Sequence, residues 1–355
     1  MLRGRIRFFP AQARMSYRIG IDTIHLRPTP RLAHTEYCTS DPLKRHFRRV
    51  FGDVRFEDAF EMDFIWHTDD GPVPWSQRGR TTDMGHAAFL EAGTDMRPPK
   101  PCPFADIDEV LAFDAVAEYG LPDFDDLVAW YENLYRTRQA QFPEQVLTGG
   151  YYKTIVSGAI EAFGWDMLLQ AAGYRQEFER VLDSFFRLSM HHFRAWAKTS
   201  APVFICHDDF VWTSGPFMAP DFYRSAIFPR YAELFAVIRK AGKKLLFCSD
   251  GCFTAFIDDV AAAGADGFIF EPLTSFDYIV RRYGQTHVIV SSLVDCRTLT
   301  FGTPADIRRE IDATLERAFQ CPGFIFAVGN HIPSNVPVEN VMFYFDYLRK
   351  HWTRP

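Results

Sequence analysis

The chain has 355 residues, of which 47% are hydrophobic and 24% are charged, an ordinary globular balance. Its net charge is −6 with basic and acidic residues mixed along the chain, which argues against a general nucleic-acid-binding protein because such proteins carry a basic stripe. The seven cysteines include no CxxC pair, so we expect reduced thiols in a cytoplasmic protein. We find no apolar run long enough to predict a membrane span.

The first twenty residues contain five arginines and no acidic residue. A transit peptide is one interpretation of this composition. The other is a start codon placed too early, with Met15 as the true first residue. We favour the second, because no apolar core or cleavage pattern accompanies the arginines. We therefore predict a disordered extension over residues 1–14 and one folded domain over residues 15–355.

The part of the chain before residue 200 has an irregular pattern. Residues 60–105 are rich in Pro, Gly, His and Trp and predict a long excursion. Beyond it we predict a strand at residues 145–154, surrounded by helical stretches at 106–118, 122–142, 155–172 and 174–198. We expect one or two further strands before residue 70.

Short apolar runs alternate with amphipathic stretches after residue 200. The runs are rich in Phe, Val or Ile and do not alternate with polar residues: VFICHDD (203–209), KKLLFCSDG (243–251), DGFIFEP (266–272), THVIVSSLVD (286–295) and GFIFAVGNH (323–331). Such runs are typical of parallel strands that are buried on both faces. The first amphipathic stretch contains Pro229, which should kink or split its helix.

Five successive strand–helix units predict a parallel α/β fold. The earlier strands bring the count to about eight, the number in a single (β/α)8 barrel of the TIM type. The alternative is an open doubly wound sheet, which is weakened by the lack of a glycine-rich nucleotide fingerprint after any strand. We predict the barrel, with an irregular excursion in its amino-terminal part.

Chemically active residues fall at the predicted carboxyl ends of these strands, where (β/α)8 barrels hold their active sites. They are His207, Asp208, Asp209, Cys248, Asp250, Glu271, Asp295, Asn330 and His331, with Tyr151 and Tyr152 at the end of the earlier strand. Because side chains alternate along a strand, His207 should point the same way as Asp209, and Cys248 the same way as Asp250. Such a group could bind a metal ion or tune an acid and a base.

Each of these residues also has a purely structural explanation. An aspartate after a strand often caps the next helix, which applies to Asp208 and Asp250. Cys248 could be a buried apolar filler, Glu271 could hold a turn before a proline, and His331 could be a core imidazole. The two tyrosines could serve aromatic packing. The functional interpretation depends on the whole set meeting at one mouth.

The sequence HDDFVWTSGPFMAPDFYRSAIFPRY, followed by KKLLFCSDG, GFIFEP, SLVDCRTLTFG and GNHIPSNVPVEN, resembles the uroporphyrinogen decarboxylase superfamily, which also contains the cobalamin-dependent methyltransferases. The resemblance covers residues 200–345 well and the first half loosely. It implies a single (β/α)8 barrel, in agreement with the pattern of the residues themselves. The motifs are fairly specific for the superfamily but are poor guides to the reaction.

Two branches of the superfamily match less well. True decarboxylases carry a segment like RQAGRYLPEYR that holds substrate carboxylates, and HLRPTPRLAHTEY (25–37) keeps only Arg27 and Arg31 of such a motif. Their GHGI-type loop is replaced by GNHI at residues 329–332. Methyltransferases that use coenzyme M bind zinc through a HxC pair and a distant Cys, whereas this chain has Cys248, Asp250 and Asn330 at those positions.

The chain is most similar to a third branch, the corrinoid-dependent methyltransferases that demethylate aromatic ethers. This resemblance implies transfer of a methyl group from a small donor to a corrinoid on a separate protein. Asp295, Glu310 and His331 keep the spacing of a zinc pattern in some members. Of these we expect Asp295 and His331 to bind zinc with Cys248, because Glu310 should lie about two turns inside a helix.

The residue roles that we predict on this basis fall into three groups. The catalytic residues are Asp209, Asp250 and His331, the last as a general acid if no metal is bound. The substrate-binding residues are His207, Asp208, Tyr151, Tyr152, Glu271 and Asn330. Two alternatives stay open: decarboxylation of a carboxylic acid held by Arg27, Arg31 or Arg297, and a non-catalytic barrel that binds a corrinoid or tetrapyrrole. We expect no nucleic-acid or membrane partner.

Overall fold

The computed structural model describes residues 10–73 and 102–355. Its strands are β1 (Ala33–His34), β2 (Phe64–Ile65), β3 (Val146–Leu147), β4 (Gly149–Tyr151), β5 (Val203–His207), β6 (Lys244–Ser249), β7 (Gly267–Phe270), β8 (Val288–Ser291) and β9 (Phe324–Phe326). The helices before β5 are α1 (Pro10–Ile24), α2 (Asp41–Phe51), α3 (Phe56–Ala59), α4 (Ile107–Leu111), α5 (Ala115–Tyr119), α6 (Phe124–Gln141), α7 (Val156–Ala171) and α8 (Arg175–Ala197). The later helices are α9 (Pro220–Phe222), α10 (Phe228–Lys240), α11 (Ile257–Ala263), α12 (Phe276–Tyr283), α13 (Cys296–Phe301), α14 (Pro304–Ala318) and α15 (Val338–His351).

The strands form a parallel arrangement in which seven of them follow the order β1-β9-β8-β7-β6-β5-β4. β2 pairs in parallel with β3, and a bridge between Asp69 and Tyr151 continues this pairing alongside β4. The α/β class and the parallel sheet are therefore confirmed. Across the remaining gap between β1 and β2, the backbone amide of Asp63 donates to the carbonyl of His34 at 2.8 Å. The order is consistent with the predicted barrel, although no hydrogen-bonded ladder between β1 and β2 closes it in the described residues.

Alternate side chains of the strands fill the inside of this arrangement. Val203 and Ile205 of β5 and Leu246 of β6 belong to one buried cluster, which also includes Ile19 and Ile24 of α1. Helix α1 thus covers the end of the sheet at which the strands begin. The intervening residues are mostly phenylalanines, which pack outward against the helices.

A glycine allows the close approach of α1 to β2. A Cβ atom built on Gly20 would lie 2.3 Å from the carbonyl oxygen of Asp63, a distance that no larger residue could tolerate without backbone movement. The contact keeps α1 against the start of β2. It therefore leaves the opposite, carboxyl ends of the strands as the open face.

The helices follow the sequence pattern with local differences. A π-helical turn at Tyr223–Ile227 lies directly before Pro229, so the predicted kink is present and takes the form of a π-bulge. The stretch predicted as one helix at residues 106–118 is two helices, because the side chain of Asp114 accepts from the amides of Val116 and Ala117 and starts a new helix there.

Two predictions about the amino-terminal part fall partly on residues that the structure does not describe. Helix α1 begins at Pro10, residues 1–9 lie outside the described residues, and the predicted boundary before Met15 stays a prediction. Of the predicted excursion, residues 74–101 lie outside them as well. Among the described helices, none is long and apolar enough to span a membrane.

Candidate active site

A small cavity lies at the carboxyl ends of the strands. Its volume is about 40 Å³, which is room for roughly two or three water molecules or one methoxyl-sized group. The lining residues come from many strands: Tyr37, Trp66, His207, Cys248, Asp250, Ile269, Phe270, Val290, Ala327, Val328 and Asn330. The mouth that the sequence predicted from separate strand ends therefore exists as one space. Most of its wall is apolar or aromatic, with a few polar groups.

His207 and Asp209 lie at the end of β5 and interact with each other. The Nε2 atom of His207 is 3.3 Å from Oδ1 of Asp209, and both side chains are more than nine-tenths buried. The ring of Tyr152 stacks on the imidazole with 4.0 Å between centroids, and its hydroxyl donates to Oδ2 of Asp209 at 3.1 Å. Both ring nitrogens of His207 are buried, and neither makes a hydrogen bond of good geometry within the described residues. Because His207 lines the cavity, its imidazole is available to a ligand there.

Asp250 follows β6 and is joined to Asp209. Its backbone amide donates to Oδ1 of Asp209 at 2.9 Å, so the two strand ends are held in register. The side chain of Asn330 hydrogen-bonds the Asp250 carboxyl group. His331 Nδ1 in turn contacts Oδ1 of Asn330, which requires the amide nitrogen to face Asp250. His331 is buried and does not line the cavity, but it contacts two residues that do, Asn330 and Tyr37, the latter with 6.5 Å between ring centroids.

Glu271 ends β7 and supports the loop that carries Asp250. Its Oε1 atom accepts from the backbone amide of Gly251 at 2.7 Å. Gly251 has a φ of +82°, and a Cβ atom there would lie 2.7 Å from the carbonyl oxygen of Trp212, so only glycine fits. The serine–aspartate–glycine sequence after β6 thus forms a fixed turn. Its glycine allows the close approach of two loops, while its aspartate lines the cavity.

The environments of the two aspartates separate their proton affinities. Burial alone would raise the pKa of Asp209, but neighbouring His207 and the hydrogen bonds from Asp250 and Tyr152 bring that pKa below its ordinary value. Burial raises the pKa of Asp250 well above its ordinary value, and the negative charges of Asp209 and Glu271 raise it further. Of the two carboxyl groups, that of Asp250 therefore has the higher proton affinity.

The other acidic groups of the mouth keep their protons more strongly than in water. Burial raises the pKa of Glu271, although the amide of Gly251 opposes this shift. Burial and the Asp209 carboxylate raise the pKa of Tyr152 well above its usual range, so its phenol is a lasting hydrogen-bond donor. Burial also raises the pKa of the Cys248 thiol, which is therefore present as the thiol.

The structure contradicts the substrate-binding role predicted for Asp208. Its carboxylate is fully buried on the opposite side of β5 and accepts from the amides of Ile155, Val156 and Ser157 at 2.6–3.1 Å. It also accepts from the hydroxyl groups of Ser157 and Tyr231, both at 2.7 Å. Asp208 therefore caps α7, the helix that precedes its own strand, and has no access to the cavity.

Tyr151 is likewise placed away from the cavity, because successive residues of a strand face opposite sides. Its ring stacks on that of His192 in α8 with 4.6 Å between centroids. Only Tyr152 of the predicted tyrosine pair reaches the site. The interpretation of Tyr151 as an aromatic packing residue is therefore the one that fits.

The residues predicted to bind zinc do not fit a zinc site. Asp295 accepts from the amide of Arg297 at 2.7 Å and caps α13. Neither Asp295 nor His331 lines the cavity to which Cys248 contributes. In the described residues, no three His, Cys, Asp or Glu side chains converge as ligands. We therefore derive no step through a metal ion.

Glu310 does approach Asp295, contrary to the expectation from its place inside a helix. The short helix α13 intervenes, and α14 returns so that Glu310 accepts from the backbone amide of Asp295 at 3.2 Å. Its other oxygen accepts from the hydroxyl of Thr298 at 2.8 Å. Both contacts brace the α13 turn.

The arginines considered for gripping a substrate carboxylate are not equivalent. Arg31 pairs with Asp63 at 2.6 Å and lies 4.4 Å over the ring of Trp352, before the start of β1. Arg27 lies in the turn after α1 and pairs with Asp22. Both are at the amino ends of the strands, far from the cavity. Arg297 is the arginine of this set that lies near the mouth. Its positive charge lowers the pKa of the Asp250 and Glu271 carboxyl groups.

Tyr37 and Trp66 line the cavity but were not among the predicted residues. Their rings lie 5.0 Å apart, and Trp66 is 6.0 Å from the ring of His207. A signal for Trp66 was present in FIWHTDD (64–70), which repeats the apolar-run-then-histidine-and-aspartates pattern of VFICHDD (203–209). It was overlooked because β2 is only two residues long. Tyr37 follows an equally short strand.

Comparison with known proteins supports the same fold. The family model of uroporphyrinogen decarboxylase (URO-D) matches residues 154–351. The solved structure of a methyltransferase from Methanosarcina mazei superposes with a TM-score of 0.61 at 16% identity, covering 94% of this chain and 98% of that one, which indicates a shared fold.

A chitinase of the GH18 type, ChiB from Flavobacterium johnsoniae, gives a TM-score of only 0.34 at 11% identity, over 61% of this chain and 79% of that one. No curated protein sequence matches the chain. The family match extends over more than half of the residues. It includes all the residues that line the cavity except Tyr37 and Trp66. The chain belongs to the uroporphyrinogen decarboxylase family.

Proposed function

We propose that this protein is a methyltransferase that moves a methyl group from a small O-methyl donor to a corrinoid carried by a separate protein. The observation that carries the proposal is the Asp209–Asp250 pair at the cavity. The pKa of the Asp209 carboxyl group is lowered and that of the Asp250 carboxyl group is raised, although the two residues are directly linked. Two carboxyl groups with separated proton affinities are typical of acid–base catalysis.

Removal of a methyl group from an ether oxygen requires a proton for the departing oxygen. The carbon–oxygen bond breaks with its electron pair left on oxygen, and the proton of the Asp250 carboxyl group moves to that oxygen. The methyl carbon forms its new bond to the acceptor. Asp250 is left as a carboxylate, which the amide of Asn330 stabilises by hydrogen bonding until a proton returns from solvent at the mouth.

His207 and Asp209 have the arrangement of an oriented imidazole. Asp209 lies 3.3 Å from Nε2 of the ring, Tyr152 stacks on one face of it, and Nδ1 has no hydrogen-bond partner in the described residues. A donor with a hydroxyl group next to its methoxyl group would find a hydrogen-bond partner in Nδ1. In this role His207 orients the substrate, and Asp209 holds His207 in place.

A corrinoid, when presented by its carrier protein, supplies the nucleophile that accepts the methyl group. The cavity holds only a small group, so the donor's methyl must enter it while the larger acceptor approaches from the mouth. The aromatic rings of Tyr37 and Trp66 provide an apolar wall that suits an aryl methyl ether. The non-catalytic alternative gains no support, because a carrier has no use for a separated acid pair.

Decarboxylation is the less favoured reaction. It requires cationic groups that hold substrate carboxylates, and Arg27 and Arg31 lie at the other end of the strands. Arg297, the arginine near the mouth, already lies 3.5 Å from the Asp295 carboxylate. The pKa of Asp209, which adjoins Asp250 of the cavity wall, is lowered, and its negative charge would repel an anionic substrate.

The test is an assay of methyl transfer to free cob(I)alamin as a surrogate acceptor. The purified protein is incubated with a panel of aryl methyl ethers, methanol and methylamines, and methylcobalamin is followed by its absorbance. We expect turnover with an aryl methyl ether and a loss of at least about 100-fold in Asp250→Asn, in line with the usual contribution of a general acid. The control Asp295→Asn should keep its activity, because Asp295 caps a helix outside the cavity.

Two results would contradict the proposal. One is carbon dioxide release from a carboxylic acid panel with no methylcobalamin from any donor, which would favour decarboxylation. The other is full methyl transfer by Asp250→Asn, which would remove Asp250 as the acid. Metal analysis of the active protein completes the test, since activity that depends on bound zinc would require ligands other than those described.

A further inference from the structure

Helix α2 carries a concentrated positive charge on a chain whose net charge is −6. Its eleven residues, DPLKRHFRRVF, contain five basic residues and one acid, Asp41, in the first turn. We name as the α2 basic face the following five residues: Lys44, Arg45, His46, Arg48 and Arg49. Arg45, Arg48 and Arg49 are exposed. No comparable run of cations occurs in another described helix.

The apolar side of α2 is already used by the fold. Leu43 and Phe47 are buried, and Phe47 packs with its ring centroid 4.7 Å from that of Phe60 and 5.1 Å from that of Phe56. The helix therefore does not need its basic face for stability. Apart from the exposed Val50, it also has no apolar residue left to enter a lipid bilayer.

The cations of the α2 basic face are not neutralised by the described residues around them. Arginines elsewhere on the surface nearby are paired, as Arg55 is with Asp58 and Arg349 is with Glu61, both at 2.7 Å. In the α2 basic face the recorded polar contact is between two basic side chains, Arg49 and His46, at 3.2 Å. Arg49 donates in this contact, so His46 accepts as a neutral imidazole, and the repulsion lies among Lys44, Arg45, Arg48 and Arg49, which an acidic partner would relieve.

The α2 basic face adjoins the rim of the mouth. The amide of Thr39, just before α2, donates to the carbonyl of Ile332, and the amide of Ile332 donates to the carbonyl of Tyr37. Ile332 directly follows Asn330 and His331 of the site. A groove of about 430 Å³ runs between the helices α2 and α15, lined by Pro42, Arg45, His46, Arg49, Val338 and Glu339. A partner bound there would lie beside the mouth.

We propose that the α2 basic face docks an acidic surface of the protein that brings the methyl acceptor to the mouth. This inference rests on the proposed function, which requires such a protein. Charge complementarity selects an acidic protein surface over the alternatives. A nucleic acid would meet a chain of net charge −6 with only three turns of basic helix, and a membrane would meet no free apolar face.

The test measures binding of a fluorescently labelled poly-L-glutamate peptide by anisotropy. The patch variant is Arg45→Ala/Arg48→Ala/Arg49→Ala. The matched control is Lys240→Ala/Arg281→Ala/Arg308→Ala, which removes the same charge from exposed positions on α10, α12 and α14. We expect the patch variant to bind at least about tenfold more weakly than wild type, while the control stays within about twofold. Binding by wild type should weaken as salt rises, because exposed ion pairs are screened.

Equal binding by the patch variant and wild type would overturn the inference. So would patch-dependent binding of a single-stranded DNA oligomer of equal charge, or of phosphatidylserine vesicles, more tightly than of poly-L-glutamate. The patch variant should also keep the wild-type rate of methyl transfer to free cob(I)alamin, since α2 does not line the cavity. If neither wild type nor the patch variant transfers methyl groups, the proposed function fails. The comparison of poly-L-glutamate binding still decides whether the α2 basic face is a docking surface.

Discussion

Replacement of Asp208 by alanine should destabilise the fold strongly without acting on the cavity directly. The carboxylate has no exposed surface and accepts five hydrogen bonds, from three backbone amides at the start of α7 and from the hydroxyl groups of Ser157 and Tyr231. Alanine would leave all five donors buried without an acceptor. When the same change is made at an exposed helix cap, the amides that lose their acceptor can hydrogen-bond to water instead.

The magnitude follows from these contacts. At roughly 1 kcal/mol for each stranded donor, the loss is about 5 kcal/mol. Part of this loss is offset, because alanine also removes the cost of burying a negative charge. The raised pKa of Asp208, which burial causes, shows that this cost is present. We therefore expect a net loss of about 3 kcal/mol. Asp208→Asn should lose less, because its carbonyl oxygen can still accept.

The assay is urea unfolding followed by circular dichroism, with wild type and Asp123→Ala as references. Asp123 is an exposed cap whose side chain accepts from the amides of Asp125 and Asp126, so its loss should cost only about 1 kcal/mol. The reasoning is refuted if Asp208→Ala is no less stable than Asp123→Ala. It is also refuted if Asp208→Ala remains folded but fails to bind donor.

Three further predictions concern the cavity. Because the folded-state pKa of Asp250 is raised, wild type should lose stability relative to Asp250→Asn as the pH rises from about 4, the ordinary pKa of aspartate, towards the raised pKa. Urea unfolding midpoints of both proteins across this pH range measure the loss, and parallel curves would contradict the prediction. Glu271→Gln removes a negative charge that raises the pKa of Asp250, so it should move the basic limb of the kcat/KM pH profile to lower pH. Asn330→Ala removes a hydrogen-bond donor to the Asp250 carboxylate, so it should move the same limb to higher pH. Shifts of both variants in the same direction would contradict the role of Asp250. Tyr152→Phe should raise the pH at which activity is lost on the acid side, because Asp209 loses a hydrogen bond that favours its ionised form; an unchanged acid limb would show that Asp209 need not be ionised.

The fold was largely predictable from the sequence because the later strands are long enough to show a pattern. The five apolar runs after residue 200 correspond to β5–β9, and the polar residues that follow them lie at one end of the sheet. The early strands β1 and β2 have two residues each and carry no periodic signal. Tyr37 and Trp66 follow these strands and were missed for that reason.

Residue roles were less predictable than residue positions. Alternation along a strand correctly paired His207 with Asp209, but the sequence HDD does not reveal that the middle aspartate caps a helix formed earlier in the chain. That contact joins residues about fifty positions apart and depends on the packing of α7 against β5. Likewise, the position of His331 after the last strand suggested a general acid, but it does not show that Asn330 lies between His331 and the Asp250 carboxyl group.

The central claim of the account is that the fold raises the pKa of Asp250 while it lowers the pKa of the neighbouring Asp209. Carbon-13 NMR of protein labelled at the aspartate side-chain carboxyl carbon tests it directly, with Asp250→Asn and Asp209→Asn to assign the two signals. The account predicts that, in a pH titration, the Asp250 signal changes from the carboxylic acid shift to the carboxylate shift at a pH above the ordinary aspartate range, and the Asp209 signal at a pH below it. Titration of both signals within the ordinary aspartate range would contradict it.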